Sequence, residues 1–288
     1  MAYSCAARLP CRETLATAHQ RLNARNPLVH CLTNPVTAHF VANTLLAIGA
    51  SPVMADHPDE AGEVARQADA LLINLGTPSD SRLAAMQRAT RAAREAERPW
   101  VLDPIGAGGL PRRRELALEL MQHHPGVIRG NASEILGLAQ QHSGGRGVDS
   151  AHTPREAHQA AHELLSRAGG VAISGASDQL FGMAEQAGQP RPLCMTIEGG
   201  SQWLPRVAGT GCALGAMVAA YAAVCTDLPT AMLAAHLHAA AAAERAEARA
   251  HGPGSFATAW LDALASVEPA RLMERRVKIH WLDDYGRH

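Results

Sequence analysis

One stretch of this 288-residue chain has residue types and spacing suited to chemistry: Val207-Ala-Gly-Thr-Gly-Cys-Ala-Leu-Gly-Ala216. Gly209 and Gly211 flank Thr210 just ahead of a long apolar run with helical character. Glycine lets the backbone turn tightly and approach a ligand closely. The start of a helix offers unpaired N–H groups and a partial positive charge. Gly209, Thr210 and Gly211 therefore make an anion hole suited to a phosphoryl group in transfer. Cys212 stands where that helix begins, a position that favours a thiolate. A thiolate so placed could take a proton from a substrate alcohol. Cys5, Cys11, Cys31, Cys194 and Cys225 have no such frame and read as small buried hydrophobes.

Several other chemistries are absent from the pattern. Gly209-x-Gly211-x-x-x-Gly215 misses the dinucleotide spacing G-x-G-x-x-G by one residue, and no strand leads directly into it. There is no G-x-x-x-x-G-K-[ST] phosphate loop and no G-x-S-x-G serine-hydrolase elbow. A cysteine hydrolase would need a His-bearing partner motif, and none accompanies Cys212. A non-catalytic ligand sensor is a third reading, and burial of Asp103 away from any metal would favour it. His236-x-His238 is a poor metal pair, because residues i and i+2 on a helix point apart.

The elements that must position these groups alternate. Helical patterns cover Thr14–Asn26, Val36–Ile48, Pro58–Ala68 and Ser79–Glu97. Short apolar runs at Leu28–Leu32, Ser51–Met54, Ala70–Asn74, Trp100–Asp103, Gly126–Arg129 and Val171–Ser174 read as strands, with a later one at Met195–Ile197. After these, Cys212–Cys225, Pro229–Ala250 and Phe256–Val267 are helical. Strands alternating with long helices predict an α/β fold with a mostly parallel sheet covered on both faces. Ligands of such sheets bind beyond the carboxyl ends of the strands. Polar groups sit at those ends: Asn74-Leu-Gly-Thr, Asp103-Pro-Ile-Gly-Ala-Gly, Arg129-Gly-Asn and Ser174-Gly. The Gly-rich His142–Asp149 stretch is too short to separate one domain from another, so residues 1–288 are expected to form a single domain.

Composition narrows the partners. Apolar residues make up 47% of the chain, much of it Ala, and aromatics only 3%. This suits closely packed helices better than an all-β fold. A net charge of −1 provides no broad field to attract nucleic acid or an anionic membrane. The run Arg112-Arg113-Arg114 reads as a solvated face, with a phosphate contact as the other possibility. No C-x-x-C pair, zinc spacing, secretory signal or long uncharged apolar segment occurs, which predicts a cytoplasmic protein with reduced thiols and no transmembrane helix.

A G-[ST/A]-G-[D/C] frame opening a late helix resembles the ribokinase superfamily, in which the last residue is usually an Asp acting as base. Cys in that place is similar to the hydroxyethylthiazole kinase family. Landmarks of that family follow in order at His30–Asn34, Gly49–Ala55, Ala70–Gly76, Asp103–Gly108, Arg129–Glu134, Gly147–Ser150 and Gly252–Phe256. The match spans roughly residues 13 to 270.

The resemblance implies a three-layer α/β/α ribokinase-like fold. It also implies ATP-dependent phosphorylation of the hydroxyl of 4-methyl-5-(2-hydroxyethyl)thiazole, in thiamine biosynthesis or salvage. The alternative is a related kinase for hydroxymethylpyrimidine, pyridoxal or a sugar alcohol. Carried over by position, Cys212 is the catalytic base, and Met54, Gly209 and Asn34 contact the thiazole. Arg129 and Ser174 bind ATP, while Asp103 and Glu134, the latter within N-x-x-E, hold Mg²⁺. Taken alone, Met54 reads as core packing, Asn34 as a turn residue, Arg129 as a surface ion pair, and the two acids as helix caps. A homotrimer with active sites at subunit interfaces is also implied. Ala208, Leu110 and residues 176–185 depart from the family pattern, and Ser174 replaces its usual Thr.

Overall fold

The computed structural model describes residues 9–139, 154–270 and 277–282. The His142–Asp149 stretch, the Gly147–Ser150 landmark and Cys5 lie outside them. Among the described residues the helices are α1 (Arg12–Arg25), α2 (Ala38–Ala47), α3 (Pro58–Gln67), α4 (Asp80–Glu95), α5 (Pro111–Leu120), α6 (Ala132–Ala139), α7 (Pro154–Leu164), α8 (Thr210–Ala222), α9 (Leu228–Glu247) and α10 (Pro253–Leu264). The strands are β1 (Leu28–Leu32), β2 (Ser51–Val53), β3 (Ala70–Asn74), β4 (Trp100–Asp103), β5 (Val127–Asn131), β6 (Gly170–Ser174), β7 (Ser177–Gln186), β8 (Gln189–Glu198) and β9 (Val277–Trp281).

The strands form one sheet in the order β2-β1-β3-β4-β5-β6-β7-β8-β9. Pairings from β2 through β6 are parallel, and those from β6 through β9 are antiparallel. Strands β1 and β3 to β6 are buried along nearly their whole length, as a sheet covered on both faces requires, whereas the edge strand β2 is half-buried. One core packs α1, α2, α8, α9 and α10 against Leu72, Val101, Val127 and Ala172. The other packs α3 to α7 against Leu71, Ile73, Leu102, Ile128 and Ile173. This is the three-layer α/β/α arrangement expected.

Successive side chains on a strand point to opposite faces. The positions two beyond Leu72, Val101, Val127 and Ala172 are Asn74, Asp103, Arg129 and Ser174. All four therefore face the α8 side, at or next to the carboxyl ends of their strands. The fold thus collects the polar strand ends under the start of α8.

The hairpin β7–β8 is longer than the sequence signal. Pro190 and Pro192 argue against a strand, yet both lie in β8. The two-residue turn Ala187-Gly188 has positive φ at both residues, 53° and 79°. That is the geometry hairpins favour, but Ala hides it where Asn or Asp would announce it. Other corrections are small. Thr210 and Gly211 belong to the first turn of α8 rather than preceding it. Cys11 is exposed and Cys225 half-buried, while Cys31 and Cys194 are buried as expected. Arg112 pairs at the surface with Glu115, but Arg113 Nη1 donates inward to the Ile105 carbonyl at 3.2 Å.

His238 does not pair with His236. Its Nε2 lies 2.9 Å from the Leu264 carbonyl and so carries the proton. Burial pushes the imidazole down to about 3, with His19 adding to the fall, so the ring is neutral and Nδ1 is an acceptor. The Tyr221 hydroxyl donates to that Nδ1 at 2.9 Å and lies 3.1 Å from His19 Nδ1. This buried relay joins α1, α8 and α9. Tyr221→Phe leaves two buried ring nitrogens unpaired and is expected to cost about 1–3 kcal/mol of stability. Chemical denaturation measures the loss, and activity should persist because the relay lies away from the cavity described below.

Candidate active site

The N-terminal residue framing α8 is Gly209, at φ 100°, a left-handed conformation that glycine adopts without strain. The Thr210 hydroxyl turns back and donates to the carbonyls of Leu204 (2.8 Å) and Val207 (3.2 Å). It thereby pins the preceding loop. Ala213 N–H closes the first helical bond to Gly209 at 2.8 Å. The amides of Thr210, Gly211 and Cys212 precede that bond and have no helical acceptor. The start of α8 therefore has the free donors that an anion needs.

Cys212 is 7% exposed, and its sulfur accepts a hydrogen bond from Asn34 Nδ2 at 3.5 Å. The same Nδ2 also donates to Asn74 Oδ1 at 3.1 Å. Asn74 Nδ2 in turn donates to Asp103 Oδ2 at 3.0 Å. Asn34 Oδ1 accepts from the Thr37 amide and Asn74 Oδ1 from the Gly76 amide, so both carboxamides are held in one orientation. A continuous buried polar chain thus runs from Cys212 through Asn34 and Asn74 to Asp103. Asn34 is more than a turn residue, and Asn74 has a role the sequence left unassigned. The available signal for Asn74 was its place at the carboxyl end of a buried strand.

Arg129 is not a surface ion pair. It is 8% exposed, with Nη1 3.7 Å from Asp103 Oδ2 and Nη2 donating to Ser174 Oγ at 2.8 Å. A Cβ added at Gly211 would lie 3.2 Å from Arg129 Nη1, which puts the guanidinium against the first turn of α8. Glu134 binds two loops together: Oε1 accepts from the Gly106 amide at 2.9 Å and Oε2 from the Asn131 amide at 2.8 Å. Asp103 is fully buried, and its Oδ1 has no hydrogen-bond partner.

A cavity of about 280 Å³ opens beside the helix start. Arg129, Ser174, Thr210 and Gly211 line its polar side, and Leu204 and Trp260 are among its apolar lining. Asp178 and His236, which the sequence did not single out as site residues, line it too. Cys212 and Asn34 are not part of this lining. Met54 is half-buried and packs against the α8-side core. Among the described residues no three His, Cys, Asp or Glu side chains cluster as a metal cage, and no helix is long and apolar enough to cross a membrane.

Fold and site together define a ribokinase-like kinase. The sequence profile of the hydroxyethylthiazole kinase family matches residues 19–270, and the chain belongs to that family. A protein from Kineococcus radiotolerans named hydroxyethylthiazole kinase is 50% identical over 88% of this chain and 90% of its own length. One from Rhodococcus erythropolis with the same name is 47% identical over 94% and 95%. The solved hydroxyethylthiazole kinase of Pyrococcus horikoshii OT3 superposes with a TM-score of 0.81 at 33% identity, covering 93% of this chain and 99% of that one. A Staphylococcus aureus pyridoxal kinase solved with AMP-PCP shares the fold, with a TM-score of 0.60 at 16% identity over 88% and 98%. The sensor reading drew on a buried Asp103. Burial is present, but family membership makes the chain an enzyme.

Burial pushes the Asp103 carboxyl up to about 7, with Glu134 adding to the rise and Arg129 and Asn74 opposing it. The folded state therefore holds this proton more tightly than the unfolded chain, whose value is near 3.8. The resulting stability is complete below the unfolded value and is lost as pH rises through the folded one. In EDTA, the melting temperature should fall between about pH 4 and about pH 7 and then level off. Asp103→Asn should flatten that portion of the profile, as differential scanning calorimetry would register.

Proposed function

We propose that this kinase moves the γ-phosphoryl group of ATP onto the primary hydroxyl of 4-methyl-5-(2-hydroxyethyl)thiazole, with Cys212 taking the hydroxyl proton. The observation that carries this reading is that one helix start brings Cys212 to one side and a cavity lined by Arg129 and Ser174 to the other. The alcohol oxygen attacks the γ-phosphorus, the bond to the β–γ bridging oxygen breaks, and ADP leaves. The proton passes to Cys212 Sγ, whose orientation is held by Asn34. The amides of Thr210, Gly211 and Cys212 receive the equatorial oxygens as charge spreads over them. Arg129, steadied by Ser174, holds the nucleotide phosphates with a planar fork suited to them. Met54 and Gly209 complete the thiazole side with Asn34.

The residues present fit a magnesium ion. Mg²⁺ takes one or two carboxylates and fills its remaining positions with phosphates and water. Asp103 has a buried oxygen without a partner, and Glu134 keeps spare lone pairs beyond its two amide bonds. When bound, the ion would supply charge neutralisation at the β- and γ-phosphates. We read residues 1–288 as one cytoplasmic kinase domain serving thiamine biosynthesis or salvage.

The decisive assay offers ATP, Mg²⁺ and the thiazole alcohol beside hydroxymethylpyrimidine, pyridoxal and ribose, with phosphate esters read by mass spectrometry. Thiazole phosphate should dominate, and a preference for another alcohol would overturn the substrate. Positioning and electrostatics carry most of phosphoryl transfer. Cys212→Ala should therefore lose roughly 10²- to 10⁴-fold in kcat yet stay measurable. Cys212→Asp should be tolerated or improved, and a folded, ATP-binding but dead Cys212→Asp would sink the base role.

A homotrimer with active sites at the interfaces accompanies this reading. Val36, just ahead of α2, and Leu46, in its last turn, are 73% and 59% exposed and give a second subunit apolar surface to cover. Light scattering coupled to gel filtration should return the mass of three chains, and a monomer at working concentration would refute the assembly.

A further inference from the structure

The cavity beside α8 holds a pair that the phosphoryl chemistry above does not use. His236, on α9, has a side chain with no exposed surface, and it lines the cavity. Its Nδ1 lies 2.8 Å from Asp178 Oδ2. The other carboxylate oxygen, Oδ1, accepts the Gly175 amide at 3.2 Å, so the acid is fixed by the turn between β6 and β7. Burial opposes ionisation of Asp178, but the neighbouring imidazole outweighs it and holds the carboxyl below its ordinary value. The carboxylate accepts from Nδ1–H, which leaves Nε2 as the ring's remaining polar atom. That Nε2 is buried and has no hydrogen-bond partner. Buried polar atoms are rarely left unpaired, because the desolvation is then uncompensated.

Arg129, Ser174 and the amides of Thr210 and Gly211 give the cavity polar lining suited to phosphates. Leu204, Ala240 and Trp260 make an apolar wall suited to a flat base. His236 lies one helical turn before Ala240 on α9, and its partner Asp178 follows Ser174 by four residues and senses the charge of Arg129. A nucleotide whose phosphates meet Arg129 carries its ribose hydroxyls next along the molecule, and a hydroxyl can pair with a buried ring nitrogen. We infer that His236, positioned by Asp178, is a nucleotide-binding residue whose Nε2 hydrogen-bonds a ribose hydroxyl of ATP. This rests on the cavity being the nucleotide half of the site, and it does not depend on which alcohol is phosphorylated.

Calorimetric titration with Mg²⁺ and a non-hydrolysable ATP analogue, without alcohol, tests it. His236→Ala should weaken binding roughly tenfold, the scale of one lost hydrogen bond. Wild type should lose a similar factor with the 2′-deoxy or the 3′-deoxy analogue, and His236→Ala should bind ribo and deoxy forms alike. In kinetics the KM for ATP should rise while the KM for the alcohol holds. Asp178→Ala should weaken binding alone but add nothing in the His236→Ala background.

A His236→Ala protein that binds as tightly as wild type, or that keeps the wild-type preference for ribose, overturns the contact. Additive losses overturn the positioning role of Asp178. If His236→Ala does not fold, the ribo/deoxy comparison on Asp178→Asn carries the same test. A wild type that binds nucleotide but ignores the thiazole alcohol leaves this inference standing while the substrate fails. A wild type that binds no nucleotide overturns the cavity reading itself.

Discussion

A carboxylate and a guanidinium held out of water beneath the start of a helix set the terms for this molecule. Asp103 is fully buried and Arg129 nearly so, 3.7 Å apart. Removing both from solvent is costly, and their attraction offsets that only when the leftover polar atoms find partners. Asn74 serves the carboxylate and Ser174 serves the guanidinium. The oxygen and nitrogen that remain unpaired, Asp103 Oδ1 and Arg129 Nε, mark where compensation from outside the chain is required. Strand alternation brings these side chains together. The same period of two that places Leu72, Val101, Val127 and Ala172 in the core delivers the polar residues two positions later to the same face.

The start of α8 divides the site without separating its halves. Cys212 reaches Asn34 on one side, while Gly211 backs onto Arg129 next to the cavity. The two halves are joined underneath by the carboxamides of Asn34 and Asn74, which link the sulfur to the acid through hydrogen bonds. Displacing one member therefore leaves its neighbours with unpaired buried atoms, so the geometry resists partial distortion.

Much of this was legible in the sequence for a physical reason. The parallel strands are short apolar runs ended by Gly, Pro or polar residues, and polar strand ends are where an α/β sheet binds ligands. The glycine frame at 209–211 similarly declares a helix start open to an anion. What stayed hidden depends on contacts between distant residues or on turns made from unusual residues. The β7–β8 hairpin is disguised by two prolines and by Ala187 in a left-handed turn position. The pairing of Asp178 with His236 crosses 58 positions, and nothing local to either residue announces it. His236 and His238 were correctly kept apart by helix geometry, but their separate partners required the fold. Cys11 reads like any small apolar residue, and only its place just ahead of α1 exposes it.

Helix α9 is buried along nearly its whole length, mostly through alanines, and bears His236 and His238 on opposite sides. Inserting or deleting one residue in an α-helix turns everything beyond it by about 100°. In α9 such a change would swing one imidazole away from Asp178 or the other away from Tyr221, with no solvent-facing stripe to absorb the error. Length variation among descendants of this gene should therefore accumulate in the connections flanking α9, while the helix itself accepts point replacements only. Its rotational phase is an inherited quantity, fixed as firmly as any side chain.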